Sequence, residues 1–537
     1  MRLQTRDYKT FTIDSDPPLQ FTDFRQANHC LPGDSVEWTN EMCSLVQRAS
    51  HRFIPGILEL TSKVLYGHTS RGAKVYLFHP LDRKYPPFRV GSSQRDTSKN
   101  QLGLVEFMEW DILDTLPRGN LIRLLGPCGT VEAERKALTY QYSSPSLSTQ
   151  LFDIAEDTCS HRVPLEGTTF NIDPDGCRDI DDVLTLRPLS ETKWQFVITI
   201  SDVAAHIVEG SVGDKHAFTL GQTLYQDSEA VVPMFPGALS EMAFSLRPRE
   251  THCGVSLFCE WDTETKQLTV GEFKESTFTN NFSSTYETIY SASEVHVKIL
   301  EEIAGALKGS PTSDSHEWVA ESMLLYNKEV AKVLLKHSVG VLRTHSPANA
   351  ERLAQFTAIH PDLQAFAYDA AKYEPTGPNQ FHAGLGSVPY CHASSPIRRY
   401  ADLLNQRALK AILANRPIDP VPLGVATHLN GISKQMRAYE RALFFLDQVG
   451  TAPSGVVPGL VVASTDATTK VYVPAWKIVI RVGPGSYAIG QRLTIQYYAD
   501  LQKPHWEDRM VFRVTNDGSA LQAEDEAPST KGSGVLE

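Results

Sequence analysis

Four aspartates, Asp173, Asp179, Asp181 and Asp182, stand within ten residues in the run Phe170-Asn-Ile-Asp-Pro-Asp-Gly-Cys-Arg-Asp-Ile-Asp-Asp-Val-Leu. No lysine lies among them, and only Arg178 adjoins them. Crowded carboxylates repel one another, and hard divalent cations such as Mg²⁺, which take oxygen ligands, offset that repulsion. Two such ions side by side can hold both the attacking water and the leaving oxygen of a phosphodiester. Thr168 to Ile172 reads as a strand end, Pro174 to Arg178 as a turn and Val183 to Leu186 as the next strand, so carboxylates flanking the turn can converge. A solvated acidic loop is the plain alternative. An EF-hand is excluded, since the central Gly and closing Glu of that loop are missing. The Asp-rich acid site of a terpene cyclase is a rival chemistry.

The chain around this run has 537 residues, which implies three or four domains, and a hydrophobic fraction of 41% is ample for their cores. The net charge of −12 argues against non-specific coating of nucleic acid but allows a basic channel within an acidic body. Eight scattered cysteines with no CxxC pair read as reduced thiols of an intracellular protein. The start lacks an apolar signal-peptide core, and no run nears the ~20 apolar residues of a membrane span.

Along the chain, residues 1–50 hold β-like pieces at Lys9–Ile13 and Ser35–Trp38, too few to close a barrel alone. Residues 51–128 carry five short strands, starting at Gly56, Ala73, Phe88, Leu104 and Leu121, which predict a small OB-type barrel, a common single-strand-binding scaffold. A helix from Val131 and a Ser-rich connector fill 129–159. Residues 160–450 begin strand-rich around the aspartates and turn helical over 295–307, 317–336, 351–355, 399–415 and 425–448, an α+β enzyme body. Strands return over 451–520 as a second barrel candidate, and the polar tail 521–537 is expected to be disordered.

Three further stretches agree with the Asp run. Ile200-Ser-Asp-Val-Ala-Ala-His, Val232-Pro-Met-Phe-Pro-Gly-Ala-Leu-Ser-Glu-Met-Ala-Phe-Ser-Leu-Arg-Pro and His392-Ala-Ser-Ser-Pro-Ile-Arg-Arg-Tyr-Ala-Asp-Leu resemble segments of the RNB family, which includes ribonuclease II, ribonuclease R and the Dis-three-like exonucleases. The resemblance covers about 160–450. Leu77-Phe-His-Pro-Leu-Asp, Pro117-Arg-Gly-Asn and Leu125-Gly-Pro-Cys-Gly-Thr look like the second cold-shock barrel of eukaryotic members, and Gly33-Asp-Ser-Val-Glu-Trp like the end of a shortened first one. Nothing resembles a PIN module. The implied fold is a multidomain α+β chain: an RNB catalytic body with cold-shock-like OB barrels before it and an S-one-like OB barrel after it.

The resemblance also implies roles. Asp173, Asp179, Asp181 and Asp182 become metal and catalytic carboxylates for Mg²⁺, two ions with Mn²⁺ as a substitute, and Asp181 occupies the most activity-critical position. Arg398 holds the scissile phosphate, as a permanently charged guanidinium can do bidentately, and Arg399 beside it is a further RNA-binding candidate, with a solvent-facing residue at a helix start as the alternative. Pro396 ahead of Arg398 and Arg399 marks a helix start whose N–H groups favour an anion. Tyr286 matches the tyrosine that stacks on the terminal base, and Tyr225 an aromatic where the strand comes in. Glu321 matches a helix glutamate that reads the ribose, and Glu440 another acid near the site. For Glu440 an intrahelical ion pair fits equally well.

The chain departs from the family at Gln406-Arg407, where His-Arg is usual, at Ala393-Ser394-Ser395, where Phe-Thr-Ser is usual, and in lacking a Lys-rich tail. The expected function is processive, Mg²⁺-dependent 3′→5′ hydrolysis of single-stranded RNA to nucleoside 5′-monophosphates. The expected protein is cytoplasmic, with the nucleus open, and monomeric or docked on a larger RNA-degradation complex. The alternative within the fold is a silent RNA-binding member. A terpene cyclase or glycosyltransferase has no account of the Ser-Pro-Ile-Arg-Arg segment.

Overall fold

A computed structural model describes residues 1–515, apart from 52, 144–151, 153, 158, 228, 501–502 and 504–508. The Ser-rich connector and the tail 521–537 lie outside the described residues.

The first strands are short. Leu3–Thr5, Phe11–Ile13 and Leu19–Phe21 form one antiparallel sheet, and Ser35–Thr39 and Met42–Gln47 a hairpin. Positive φ at Asn40 and Glu41 gives that hairpin the tight turn whose twist matches its strands. The two pieces share a core of Leu3, Phe11, Ile13, Phe21, Val36 and Cys43 without closing a barrel.

A closed five-stranded barrel follows, from Ile54–Leu58, Lys74–Pro80, Phe88–Ser92, Gln101–Glu109 and Arg118–Pro127. Alternate residues of these strands turn inward, so that Tyr76, Phe78, Phe88 and Val90 fill the interior. Gly119 is required there, because a Cβ would sit 2.3 Å from Val105. The next helix, Val131–Tyr142, ties the barrel to the rest of the chain. Its Leu138 and Tyr142 pack against Met436, Tyr439 and Leu446 of the long helix Leu423–Thr451, and its Glu134 pairs with Arg509 at 2.7 Å.

The body is a seven-stranded mixed sheet. In spatial order its strands are Val163–Pro164, Gln267–Thr279, Thr251–Asp262, Lys193–Ser201, Asp182–Pro188, Thr168–Asp173 and Phe282–Thr285. Neighbours run antiparallel except at the two edges. Lys193–Ser201 lies mid-sheet and is buried on both faces from Phe196 onward, hence its continuous apolar run. Helices Glu294–Lys308, Ser315–His337 and Tyr400–Leu413 pack on the sheet, with Ile299, Ile303, Trp318, Tyr326 and Leu409 meeting Phe170, Leu184, Phe196 and Trp261. The first of these helices ends at Gly309 in the left-handed conformation, and the second starts on Asp314, whose side chain accepts from His316 N–H.

After the long helix, Ser454–Ser464, Thr469–Val473, Ile478–Val482, Arg492–Ala499 and Met510–Val514 form a five-stranded antiparallel sheet. The sequence predicts a barrel here. Among the described residues no ladder joins the edge strands Ile478–Val482 and Met510–Val514, so the sheet curls around a shared core of Val471, Ile480, Ile495 and Met510 without hydrogen-bonded closure.

Candidate active site

Asp173 ends one strand of the body sheet and Asp182 begins its antiparallel neighbour. The turn between them passes through Gly176 at φ +79°, a conformation that costs glycine little. The turn is held from the segment around Phe244–Leu246. Ser245 Oγ accepts from Ile180 N–H at 3.1 Å and donates to the Arg178 carbonyl at 2.7 Å, and Leu246 N–H donates to the Ile180 carbonyl at 3.0 Å. The Phe-Ser-Leu-Arg-Pro motif therefore fixes the backbone that presents the aspartates.

Asp181 is 3% exposed. Its Oδ1 accepts from Ile397 N–H at 2.9 Å and its Oδ2 from Arg398 Nε–H at 3.1 Å. Burial pushes its carboxyl up to about 7, against the opposing effects of Arg398 and the Ile397 N–H. Burial, then the charges of Asp173 and Asp181, hold Asp182 well above the usual carboxylate range, with Arg398 opposing. Burial raises Asp173 too, although Asn171 Nδ2 donates to it at 2.9 Å and the Cys177 thiol at 3.6 Å. Asp179 accepts from the Tyr225 hydroxyl, and the Cys177 sulfur lies 3.9 Å from it. Burial and then the Asp179 charge raise the Tyr225 phenol.

Arg398 is the cation of this cluster. Burial works against its charge, and Asp181, Tyr225, Asp179 and Asp182 more than offset that. Its side chain is 47% exposed, with Nε anchored on Asp181 and Nη2 donating to Ser395 Oγ at 3.2 Å. Arg399 differs: it donates to Asp402 at 2.8 Å, a pair three residues apart with Asp402 fully buried. Both arginines precede the helix Tyr400–Leu413. The helix start expected at Pro396 is instead a turn in which the Ser395 carbonyl accepts from the N–H groups of Arg398 and Arg399, and Asp402 accepts from Ser395 N–H. Asp402 satisfies that donor from inside the first helical turn, so the helix begins later than the proline signals.

Tyr286 follows the edge strand whose Thr285 is registered with Asp173. Burial, then the charges of Asp173 and Asp182, push its phenol up to about 12. Its ring lies flat on His316, with centroids 3.8 Å apart and planes at 10°. Both rings line a cleft of about 750 Å³ with Pro174, Asp175, Thr285, Glu287 and Thr288. Among the described residues no hydrogen bond or ion pair joins Glu321 or Glu440 to the aspartates. Burial raises both, and the charges acting on them are Lys328, Lys308 and Glu317 for Glu321 and Arg437 for Glu440.

The sequence reading passed over Asn171, Cys177 and His316. Strand alternation placed Asn171 on the face of Asp173 and so could have found it. The departures are well accommodated. Gln406 is buried, donates to the Ser201 carbonyl at 2.7 Å and accepts from Ala204 N–H at 3.0 Å, bracing the strand end whose Ser201 N–H bonds the Asp181 carbonyl. Ala393 N–H donates to Asn327 Oδ1 at 2.9 Å.

Among the described residues no three His, Cys, Asp or Glu side chains are close enough together to ligate one ion. The donor set nevertheless suits a hard cation. Three of its carboxylates are raised by burial and by neighbouring carboxylates, and the Asp182 side chain accepts no hydrogen bond among the described residues. No described helix is long and apolar enough to cross a membrane.

A strand-turn-strand presenting four aspartates to an anchored arginine, behind a closed β-barrel, defines an RNB-type protein. Residues 164–296 and 291–415 match the RNB domain, and 75–143 match the Dis3-like cold-shock domain 2. The chain thus carries an RNB domain and, ahead of it, a Dis3-like cold-shock domain 2. The probable exosome complex exonuclease RRP44 of Caenorhabditis elegans is 25% identical over 520 residues, which cover 77% of this chain and 53% of that protein. The chain spans about half the length of the curated relatives it matches. Among solved structures, Mycoplasma genitalium RNase R in complex with ribose-methylated single-stranded RNA has a TM-score of 0.73 at 16% identity, covering 96% of this chain and 100% of that one. Yeast Ssd1, described as a pseudonuclease, has a TM-score of 0.62 at 16% identity, covering 93% and 80%.

Proposed function

We propose that this chain is a metal-dependent 3′→5′ exoribonuclease that hydrolyses single-stranded RNA to nucleoside 5′-monophosphates. The observation that carries the reading is the Asp181–Arg398 pair, which aims a half-exposed guanidinium from among clustered, uncompensated carboxylates. Asp173, Asp179, Asp181 and Asp182 would hold Mg²⁺, two ions, with Mn²⁺ as a substitute. Among the described residues no N–H donor bonds the side chains of Asp182 and Asp179, whereas Asp173 accepts from Asn171 Nδ2. When bound, such an ion supplies Lewis acidity and a water that ionises near neutrality.

The chain's own residues do the rest. Arg398, fixed through Nε by Asp181 and through Nη2 by Ser395 Oγ, turns Nη1 to the oxygens of the last phosphodiester. Both Asp181 oxygens accept N–H bonds, which favour its ionised form against the burial that raises it. Tyr225 fixes Asp179 through its hydroxyl. Tyr286 offers a ring to the terminal base, a contact that tolerates any sequence. Water adds to phosphorus, the bond to the 3′ oxygen of the preceding nucleotide breaks, and a nucleoside 5′-monophosphate leaves. Arg399, salt-bridged to Asp402, orders the turn rather than the phosphate. The barrel over 54–127 guides single strands, and exosome-like assembly is open to the chain through its likeness to RRP44.

A silent RNA-binding member is the second reading, favoured by the likeness to Ssd1 and by the lack of a preassembled ligand triad among the described residues. A 5′-labelled single-stranded RNA with Mg²⁺ separates the two. The enzyme reading expects a ladder collapsing to a very short product and free 5′-monophosphates, with neither in EDTA nor with Asp182→Asn. RNA binding without nucleotide release in Mg²⁺ and in Mn²⁺ would establish the silent member.

A further inference from the structure

Tyr286 packs against the core that joins the sheet to its helices, and His316 covers its ring at 3.8 Å. A base stacked between two rings needs about 3.5 Å on each side of its plane, so none fits between these two. The imidazole is otherwise lightly held. It is 58% exposed, and its one further bond is Nδ1 to Asp314 at 3.1 Å, itself 57% exposed. His316 sits in the first turn of the helix Ser315–His337, and its backbone N–H bonds Asp314, so the ring can swing away without disturbing the helix start. The cleft of about 750 Å³ beside both rings has room for a nucleotide, and Asp175, Glu287 and Thr288 around it offer acceptors to the amino groups of a base rather than to a phosphate.

We infer that His316 is a displaceable cap on the stacking face of Tyr286, whose place a 3′-terminal nucleobase takes when an RNA end binds. The inference rests on the reading of this site as one that binds RNA ends. The cap taxes every end equally, because the apparent dissociation constant is the intrinsic one divided by the uncapped fraction. Removing it tightens binding by the same factor whatever the terminal base, and an aromatic pair of this kind implies a factor of about three to ten.

The test uses the full chain as Asp182→Asn in EDTA, with short single-stranded RNAs identical except for A, C, G or U at the 3′ end. His316→Ala and Tyr286→Ala are compared in that background by equilibrium binding. The expected result is that His316→Ala tightens all four RNAs by one common factor while Tyr286→Ala weakens them. If His316→Ala weakens binding or reorders the four ends, the imidazole itself contacts the base and the cap is wrong. If His316→Ala changes nothing while Tyr286→Ala weakens binding, the cap is again wrong but the RNA-end site stands. If the parent binds none of the RNAs, the reading of the site fails and takes the cap with it.

Discussion

Arg398 and Asp181 lie 217 positions apart and meet through one Nε–H···Oδ2 bond of 3.1 Å, while the Ile397 N–H beside that arginine takes the other oxygen of the same carboxylate at 2.9 Å. Two consecutive donors on one turn thus grip both oxygens of a buried acid. Arg398→Ala should cost about a hundred- to a thousandfold in kcat, the scale of losing one preorganised donor to developing charge. Arg398→Lys should not restore it, since an ammonium has no Nε to leave on Asp181 while its tip reaches phosphate. Asp181→Asn sets an amide NH₂ against Ile397 N–H or Arg398 Nε–H, donor to donor, and should weaken RNA binding as well as turnover. Asp182→Asn meets no such donor and should lower turnover alone. Single-turnover rates and equilibrium binding on the four variants check this.

Stability should depend on pH in an unusual direction. Asp181 rises from the ordinary 3.8 to about 7, and Asp173 and Asp182 shift the same way, burial leading in each case. Between those values the folded chain binds more protons than the unfolded one. The contribution to stability is therefore fully present below 3.8 and lost as the pH rises through about 7. For Asp181 alone the shift corresponds to on the order of 4 kcal/mol at most. Metal-free protein should melt at a lower temperature at about pH 8 than at about pH 5, and Mg²⁺ should raise Tm more at the higher pH. A Tm that climbs steadily over that range in EDTA, with no Mg²⁺ response, would count against a cation site here.

Tyr225→Phe keeps the ring and removes only the hydroxyl that Asp179 accepts. Hydrogen bonds to charged groups are worth about 1.5–3 kcal/mol, so kcat should fall about ten- to a hundredfold while RNA affinity holds. Tyr225→Ala, which also deletes the ring, should add a loss of affinity only if bases stack on it. A kcat–KM split between the two substitutions reads this out.

Much of this architecture is legible in the sequence, for local reasons. Alternating apolar residues announce the barrel strands, and the helical repeat places the long helix within a few residues of Leu423–Thr451. The four aspartates announce themselves by their crowding. What is not legible is long-range. The grip of Ile397 and Arg398 on Asp181 depends on how a loop after seven strands returns to the first hairpin of the body. Likewise His316 meets Tyr286 only because the sheet edge abuts a helix start thirty residues further on. Gln406 reads as a departure until its amide is seen satisfying the backbone at Ser201 and Ala204. The Arg399–Asp402 pair, by contrast, spans only i,i+3, a spacing from which the sequence could have supplied its ordering role.

The helix after the barrel is locked to the C-terminal sheet by a buried charge pair. Glu134, in the helix after the barrel, accepts from Arg509 Nη1 at 2.7 Å with both side chains fully buried, and its other oxygen accepts from Gly129 N–H at 3.0 Å. Arg509→Met leaves the Glu134 carboxylate buried with only the Gly129 N–H on it. Breaking a buried pair from one side typically costs about 3–5 kcal/mol, because the remaining charge is uncompensated. Glu134→Gln combined with Arg509→Met should recover much of that loss, since the neutral amide keeps the Gly129 bond and leaves no buried charge. Denaturant midpoints of the single and double variants measure the coupling. The same pair holds the barrel helix to the C-terminal sheet, so the single variant should also lose RNA affinity more than hydrolysis rate on bound RNA. Equal losses in both would place the pair in the stability of the whole body rather than in the alignment of the barrel with the C-terminal sheet.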